Sequence, residues 1–222
     1  AGFTGSRKGG LALLEIAQRR PEPIPFYAEM SSINPVFLLP AALKARAKAL
    51  GEAFVGSLNM GAGQFCTNPG LVIAVEGPDL DAFIESASET LKASTAQTML
   101  TPGIHQAYGQ GVSALAANGK VREVARGLEG EGANQCQSGL FVAAGEDVIA
   151  DASLQAEVFG ASSLIVACRD AAEVKRVAEV LEGQLTATLQ MDAADHEAAR
   201  VLLPTLERKA GRIMANGWPL GV

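Results

Sequence analysis

The sequence predicts an α/β fold, a mostly parallel sheet covered by helices, and three observations carry that expectation. Apolar runs of strand length recur at residues 36–39, 71–75, 140–144, 163–167 and 185–189. Amphipathic stretches separate them: residues 41–60 carry Leu43, Ala47, Leu50, Phe54 and Leu58 at helical spacing, and residues 79–92 carry Leu80, Phe83, Ile84, Ala87 and Leu91 on one face. Most of these runs are near-continuous rather than alternating, so they suit strands buried on both faces, which is the condition of a parallel sheet.

The elements follow in order. Residues 1–5 read as the end of a strand entering a turn, and residues 8–20 as a helix stopped by Pro21-Glu22-Pro23. Residues 24–30 and 36–39 are short strands, then come the two helices just named with strand 71–75 between them. Residues 127–138 are Gly-rich and polar and read as a loop. After strand 163–167, Asp170 with Glu173 three residues on resembles a capping box, opening a helix with the stripe Val174, Val177, Ala178, Leu181. Gly183 is expected to end it in the left-handed conformation. Strands at 185–189 and 213–215 close the pattern.

Composition narrows the function. A net charge of −6 argues against nucleic acid, whose phosphates need a Lys/Arg excess on at least one face. No apolar run approaches the roughly 20 residues that cross a bilayer, and residues 1–10 lack the apolar centre of a signal peptide. Three cysteines cannot all pair with one another, which points to a reducing, cytoplasmic compartment. No Cys/His spacing suggests zinc. The chain opens on Ala1 and a strand-like segment and stops straight after another, so it is expected to be a piece of a longer polypeptide.

Cys66 stands in Gly61-Ala62-Gly63-Gln64-Phe65-Cys66-Thr67, between a long helix and an apolar strand. A thiol is a natural nucleophile for a carbonyl carbon, and the glycines before it permit close backbone approach and free its amide for an oxyanion. A buried structural cysteine is the alternative; the glycine-flanked loop favours the nucleophile. Cys136 and Cys168 read as structural. Glu29 is a charge inside the apolar run Phe26-Tyr27-Ala28-Glu29-Met30, either a general base or an edge-strand residue reaching water. Gly5-Ser6-Arg7-Lys8-Gly9-Gly10 precedes a helix, so its free amides suit a phosphate; it is not a Walker A loop. His105 and His196 read as solvated.

In order and spacing these segments resemble the aldehyde dehydrogenase superfamily. Phe3-Thr4-Gly5-Ser6 with Gly10 looks like its cofactor loop, Glu29 falls at its general base, and Gly63-Gln64-Phe65-Cys66 matches its nucleophile motif. Glu157-Val158-Phe159-Gly160 resembles the segment that holds the nicotinamide ribose and ring. Gly211-Arg212 to Asn216-Gly217, with Pro219-Leu220-Gly221-Val222, resembles its closing signature. Gly63 to Gly70 with Gly160-Ala161-Ser162 is most similar to the 2-oxoglutarate semialdehyde (2,5-dioxopentanoate) dehydrogenases; NADP-dependent fatty aldehyde dehydrogenases are the alternative. Met30-Ser31-Ser32 departs from the usual Leu-Gly-Gly, and Ala161 from the usual Pro.

The resemblance implies oxidation of an aldehyde to a carboxylic acid with NADP or NAD, Cys66 as nucleophile and Glu29 as base. Gly5, Ser6, Gly10, Glu157 and Phe159 would bind the cofactor. It also implies a homo-oligomer in the complete enzyme. Residues 1–27 would be a remnant of the NAD(P)-binding domain and residues 28–222 the catalytic domain. Most of the dinucleotide-binding sheet, the oxyanion-hole Asn and a last oligomerisation strand are absent, so the isolated chain is expected to be inactive. Two rivals stand beside this reading: a thiol acyltransferase or hydrolase pairing Cys66 with His105, and a non-catalytic fragment or assembly domain.

Overall fold

Extended segments alternate with helices through the computed structural model, which describes residues 1–219. The chain divides into two compact units, Ala1–Ser32 and Ile33–Val222.

The first unit holds β1 (Gly2–Thr4), α1 (Arg7–Gln18) and β2 (Tyr27–Glu29). β1 and β2 pair in parallel, Thr4 opposite Glu29. Ser6 caps α1, its hydroxyl accepting from the Gly9 N–H at 3.3 Å, and so satisfies one orphan donor of the first turn.

The second unit begins with β3 (Val36–Leu38), α2 (Pro40–Asn59), β4 (Leu71–Val75), α3 (Pro78–Lys92) and β5 (Gln97–Thr98). It continues through α4 (Pro102–Ala117), β6 (Val121–Arg126), β7 (Gln135–Cys136), β8 (Gly139–Ala144) and α5 (Gly145–Ala150). β9 (Ser162–Cys168), α6 (Ala171–Val180), β10 (Gln184–Gln190), α7 (His196–Lys209) and β11 (Ala210–Ala215) complete it. Seven strands form one sheet in the order β11-β10-β3-β4-β9-β8-β6, parallel throughout except that β6 runs against β8. The expected α/β class with a mostly parallel sheet is the observed one.

Each face of that sheet has its own core. Val36, Leu38, Val72 and Ile165 pack with Phe54 of α2 and Phe83 of α3. Phe37, Ile73, Phe141 and Val166 pack on the other face with Tyr108 of α4, Val177 of α6 and Leu202 of α7. Two-sided burial explains why these strands read as unbroken apolar runs.

Two local expectations fail. α6 ends with Leu181 in an extended conformation (φ −60°, ψ 143°), and Gly183 is not in the left-handed region, because the chain must straighten at once into β10. The capping box is half formed: Asp170 accepts from the Glu173 N–H at 2.8 Å, but the Glu173 carboxylate accepts from the N–H of Arg169 (2.6 Å) and faces the guanidinium groups of Arg169 and Arg176 (3.2 and 3.3 Å). A carboxylate only 1% exposed is satisfied here by one backbone amide and two guanidinium groups, which leaves it turned away from the Asp170 N–H that a full box would use.

Candidate active site

The turn that carries Cys66 is forced by the backbone before it. After α2 the segment Met60–Gly63 passes through three successive residues with positive φ: Gly61 at 57°, Ala62 at 58° and Gly63 at 68°. Alanine pays a steric cost in that region, and a hydrogen bond from the Ala62 N–H to Gln97 Oε1 (2.8 Å) holds it there. Gln64 staples the same segment, donating from Nε2 to the Gly61 carbonyl (3.0 Å) and accepting from the Leu100 N–H (2.9 Å). The chain then turns at Phe65–Asn68, closed by Asn68 N–H donating to the Phe65 carbonyl at 3.0 Å. Cys66 sits in this turn, partly exposed, directly ahead of buried Thr67 and Asn68.

A second loop lies against it. A β-carbon at Gly63 would stand 2.2 Å from the Gly160 carbonyl carbon and 2.3 Å from the Ala161 nitrogen, so the two backbones touch. Asn68 Nδ2 donates to the Gly160 carbonyl at 2.9 Å. On its other side Gly160, at φ 148°, abuts the ring of Tyr108, whose hydroxyl shares its one proton between the carbonyls of Gln137 (2.7 Å) and Ala161 (3.1 Å). Burial pushes the Tyr108 phenol well above its ordinary pKa, with Cys136 adding and Arg126 opposing, so it remains a donor. Just before this clamp, Val158 packs on the core, Glu157 is half-buried and the Phe159 ring is 36% exposed.

The other thiols are poor nucleophiles. Burial raises the Cys136 thiol, and burial, then Glu173 and Asp170, push Cys168 up to about 12. No cysteine is in a disulfide. The expectation of a solvated His105 is corrected: its side chain is half-buried on α4, with Nε2 3.1 Å from the Gln135 carbonyl. His196 is exposed as expected.

Within the first unit, the Gly5 N–H donates to the Glu29 carbonyl (3.1 Å), fixing the turn before α1 beside the end of β2. The Glu29 side chain is half-buried. Gly10 is buried, and a β-carbon there would meet Met30 Sδ at 2.6 Å. Ser31, one of the departures from the family pattern, accepts from the Arg7 N–H at 3.3 Å. The hydroxyls of Ser6 and Ser31 thus take up the N–H groups of Gly9 and Arg7 at the start of α1.

No family model matches the chain. Over its whole length the chain is 56% identical to alpha-ketoglutaric semialdehyde dehydrogenase 2 of Azospirillum brasilense and 45% identical to alpha-ketoglutaric semialdehyde dehydrogenase of Acinetobacter baylyi. It spans 42% of the length of each of these relatives. Betaine aldehyde dehydrogenase of Staphylococcus aureus, solved in complex with NAD+, superposes with a TM-score of 0.79 at 14% identity, over 99% of this chain and 44% of that one. The chain has the aldehyde dehydrogenase fold.

In that fold, the second unit brings together the Cys66 turn and the Glu157–Phe159 loop; Gly5, Ser6, Gly10 and Glu29 all belong to the first unit. Leu220, Gly221 and Val222 of the closing signature lie outside the described residues. Its earlier part is in place: Asn216 Oδ1 accepts from the Met191 N–H (2.9 Å), and Gln190 donates to the Gly217 carbonyl (2.6 Å). Sequence reasoning missed the residues that hold the site, namely Asn34, Asn68, Tyr108 and Thr186. Asn34 carried a usable signal, a polar residue directly before Pro35 at the mouth of an apolar strand, but nothing in its spacing names its partners. A groove of about 360 Å³ between α7 and β10–β11, lined by Leu189, Met191, His196 and Leu203 among others, shares no residue with the Cys66 turn.

Proposed function

We propose that the protein carrying this chain oxidises an aldehyde to a carboxylic acid through a thiohemiacetal and then a thioester on Cys66, using NADP or NAD. The observation that carries this reading is the Cys66 turn, pinned backbone to backbone against the loop that presents Glu157 and Phe159. The thiolate of Cys66 adds to the aldehyde carbon, and the Cys66 backbone N–H would donate to the resulting oxyanion. When bound, a nicotinamide cofactor would supply the acceptor for the hydride that leaves as the oxyanion collapses. Glu29 takes a proton from the water that attacks the thioester, which releases the acid and restores the thiol. Glu157 would hold the cofactor ribose and Phe159 the ring, while Gly5, Ser6 and Gly10 at the start of α1 would serve its phosphates.

The names of the two relatives support 2-oxoglutarate semialdehyde as the substrate and 2-oxoglutarate as the product. Residues 1–27 would then be the end of a cofactor domain and residues 28–222 the catalytic domain, within a homo-oligomer. In the full-length protein, Cys66→Ala should abolish aldehyde-dependent reduction of the cofactor at 340 nm. Activity within tenfold of wild type would remove Cys66 from the mechanism.

A further inference from the structure

Asn34 occupies an unusual position for a polar side chain. It is 1% exposed, it sits at the entrance to β3, and it adopts the left-handed conformation with φ 49°. Its amide nitrogen donates to two carbonyls of the nucleophile turn, Cys66 at 2.9 Å and Asn68 at 3.1 Å. Its amide oxygen accepts from both the N–H (3.2 Å) and the hydroxyl (3.1 Å) of Thr186 on β10. The backbone around it is fixed in turn, since Gln184 Oε1 accepts from the N–H groups of Ile33 (2.7 Å) and Asn34 (3.1 Å). The Ile33 carbonyl receives the Gly70 N–H at 2.9 Å, just past the turn.

The chemistry selects an amide here. Both contacted turn groups are carbonyl oxygens, so the turn needs a donor with two N–H bonds. Both Thr186 groups donate, so β10 needs an acceptor. Asparagine has two donors and an acceptor on one planar group and is more tolerant of the left-handed region than most residues. A buried network with its members satisfied is rigid. The Cys66 carbonyl is aimed at the Asn34 amide, which fixes the rotation of the peptide plane that follows Cys66.

We propose that Asn34 is the positioning residue for Cys66: it ties the nucleophile turn to β10 and holds the thiol on the line of attack. This rests on the reading of Cys66 as the nucleophile. Displacement of a reacting group by about 1 Å costs on the order of a hundredfold in rate, so an amide two bonds from the turn backbone has leverage on catalysis without touching substrate.

The test uses the full-length protein and two variants. Asn34→Gly keeps the backbone conformation and deletes the whole tie. Asn34→Asp keeps shape, volume and the acceptor for Thr186 but places a carboxylate against two carbonyls. Single-turnover cofactor reduction should fall by roughly tenfold to a hundredfold in both, with the cofactor KM within about twofold. The Asp variant supplies the readout that packing alone would not move. A protonated carboxyl regains one donor, and burial against carbonyl oxygens raises its pKa. None of the four groups it faces ionises in this range. Its rate relative to wild type at the same pH should therefore recover as pH falls from 8 to 6. Labelling of Cys136 and Cys168 by iodoacetamide, followed by mass spectrometry, monitors the fold, because both are buried. Wild-type single-turnover rates in Asn34→Asp, a relative rate flat with pH, or labelling of Cys136 and Cys168 in both variants would each overturn the proposal, the last by making Asn34 a folding residue. Cys66→Ala run alongside separates the two ideas. If it keeps turnover the nucleophile reading falls first; if it is dead while Asn34→Asp is normal, only Asn34 falls.

Discussion

The α-carbon of Gly63 faces the carbonyl carbon of Gly160 so closely that a β-carbon added to Gly63 would lie 2.2 Å away from it. The contact is backbone on backbone, so no side chain can swing aside to relieve it. Gly63 is also at φ 68°, where an L-residue is strained whatever the space. The consequence is a Cys66 turn and a Glu157–Phe159 loop that share one surface and cannot shift independently.

Gly63→Ala should therefore destabilise the protein by about 3 kcal/mol, about 1–2 from the left-handed backbone and the rest from the clash. For a protein of this size that is a fall in Tm of roughly 6–12 °C. Gly119→Ala, where nothing lies within 4 Å and φ is not positive, should move Tm by no more than about 2 °C. Equal Tm values for the two alanine variants, measured by calorimetry, would refute the backbone contact.

Much of the scaffold was legible and much of what holds the site was not, for physical reasons. Leu71–Val75 announces itself because a strand buried on both faces must be apolar at every position. α4 is muted by Gly103, Gly109 and Gly111, and the last of these is small because the Val158 side chain fills the space its β-carbon would take. β6 mixes charged and apolar residues without a clean period, because it is the antiparallel edge of the sheet and its register shifts between Glu123 and Ala125, and only Ala125 is fully buried. Cys66 stands out by residue type and by the glycines before it. Asn34, Asn68 and Tyr108 act through partners far away in sequence, and no local pattern encodes such a pairing.

Glu29→Gln, in the full-length protein, should still form the thioester and release one equivalent of reduced cofactor. Turnover should then stall, with a steady-state rate lower by about two to four decades, since an amide cannot accept the proton of the deacylating water. Rapid-mixing absorbance at 340 nm reads both phases. A steady-state rate at the wild-type level, with the protein folded, would leave Cys66 without its proposed partner.

Cys168 predicts an alkaline limit on stability. Its thiol rises to about 12 in the fold through burial, then Glu173 and Asp170, against the opposing charge of Arg176, whereas an unfolded cysteine ionises near ~8.5. The folded state therefore holds the proton more tightly than the unfolded state. The stability this provides is fully present below about pH 8.5 and is lost progressively as pH climbs from there towards the folded value. Urea midpoints between pH 8 and 10.5 should fall more steeply for wild type than for Cys168→Ala, which loses a constant packing contribution at every pH. Parallel slopes for the two proteins would contradict the buried neutral thiol.

β3 lies between β4 and β10 in the sheet, and its tie to β10 spans most of the chain: Asn34 and Thr186 are 152 residues apart, and Asp195, whose carboxylate accepts from Ala41 and Ala42 at the start of α2, is 154 and 153 residues from them. A ribosome adding about 5–20 residues per second needs roughly 8–30 s to travel that distance. Throughout that interval the nascent chain displays the edge of β3 that β10 will cover and an α2 whose first amides lack their carboxylate, while the turn that bears Cys66 has yet to gain its tie through Asn34 to β10. Cys66 is thus made well before the strand that anchors its turn through Asn34, so chaperones that cover strand edges during translation would guard the geometry of that turn as well as the sheet.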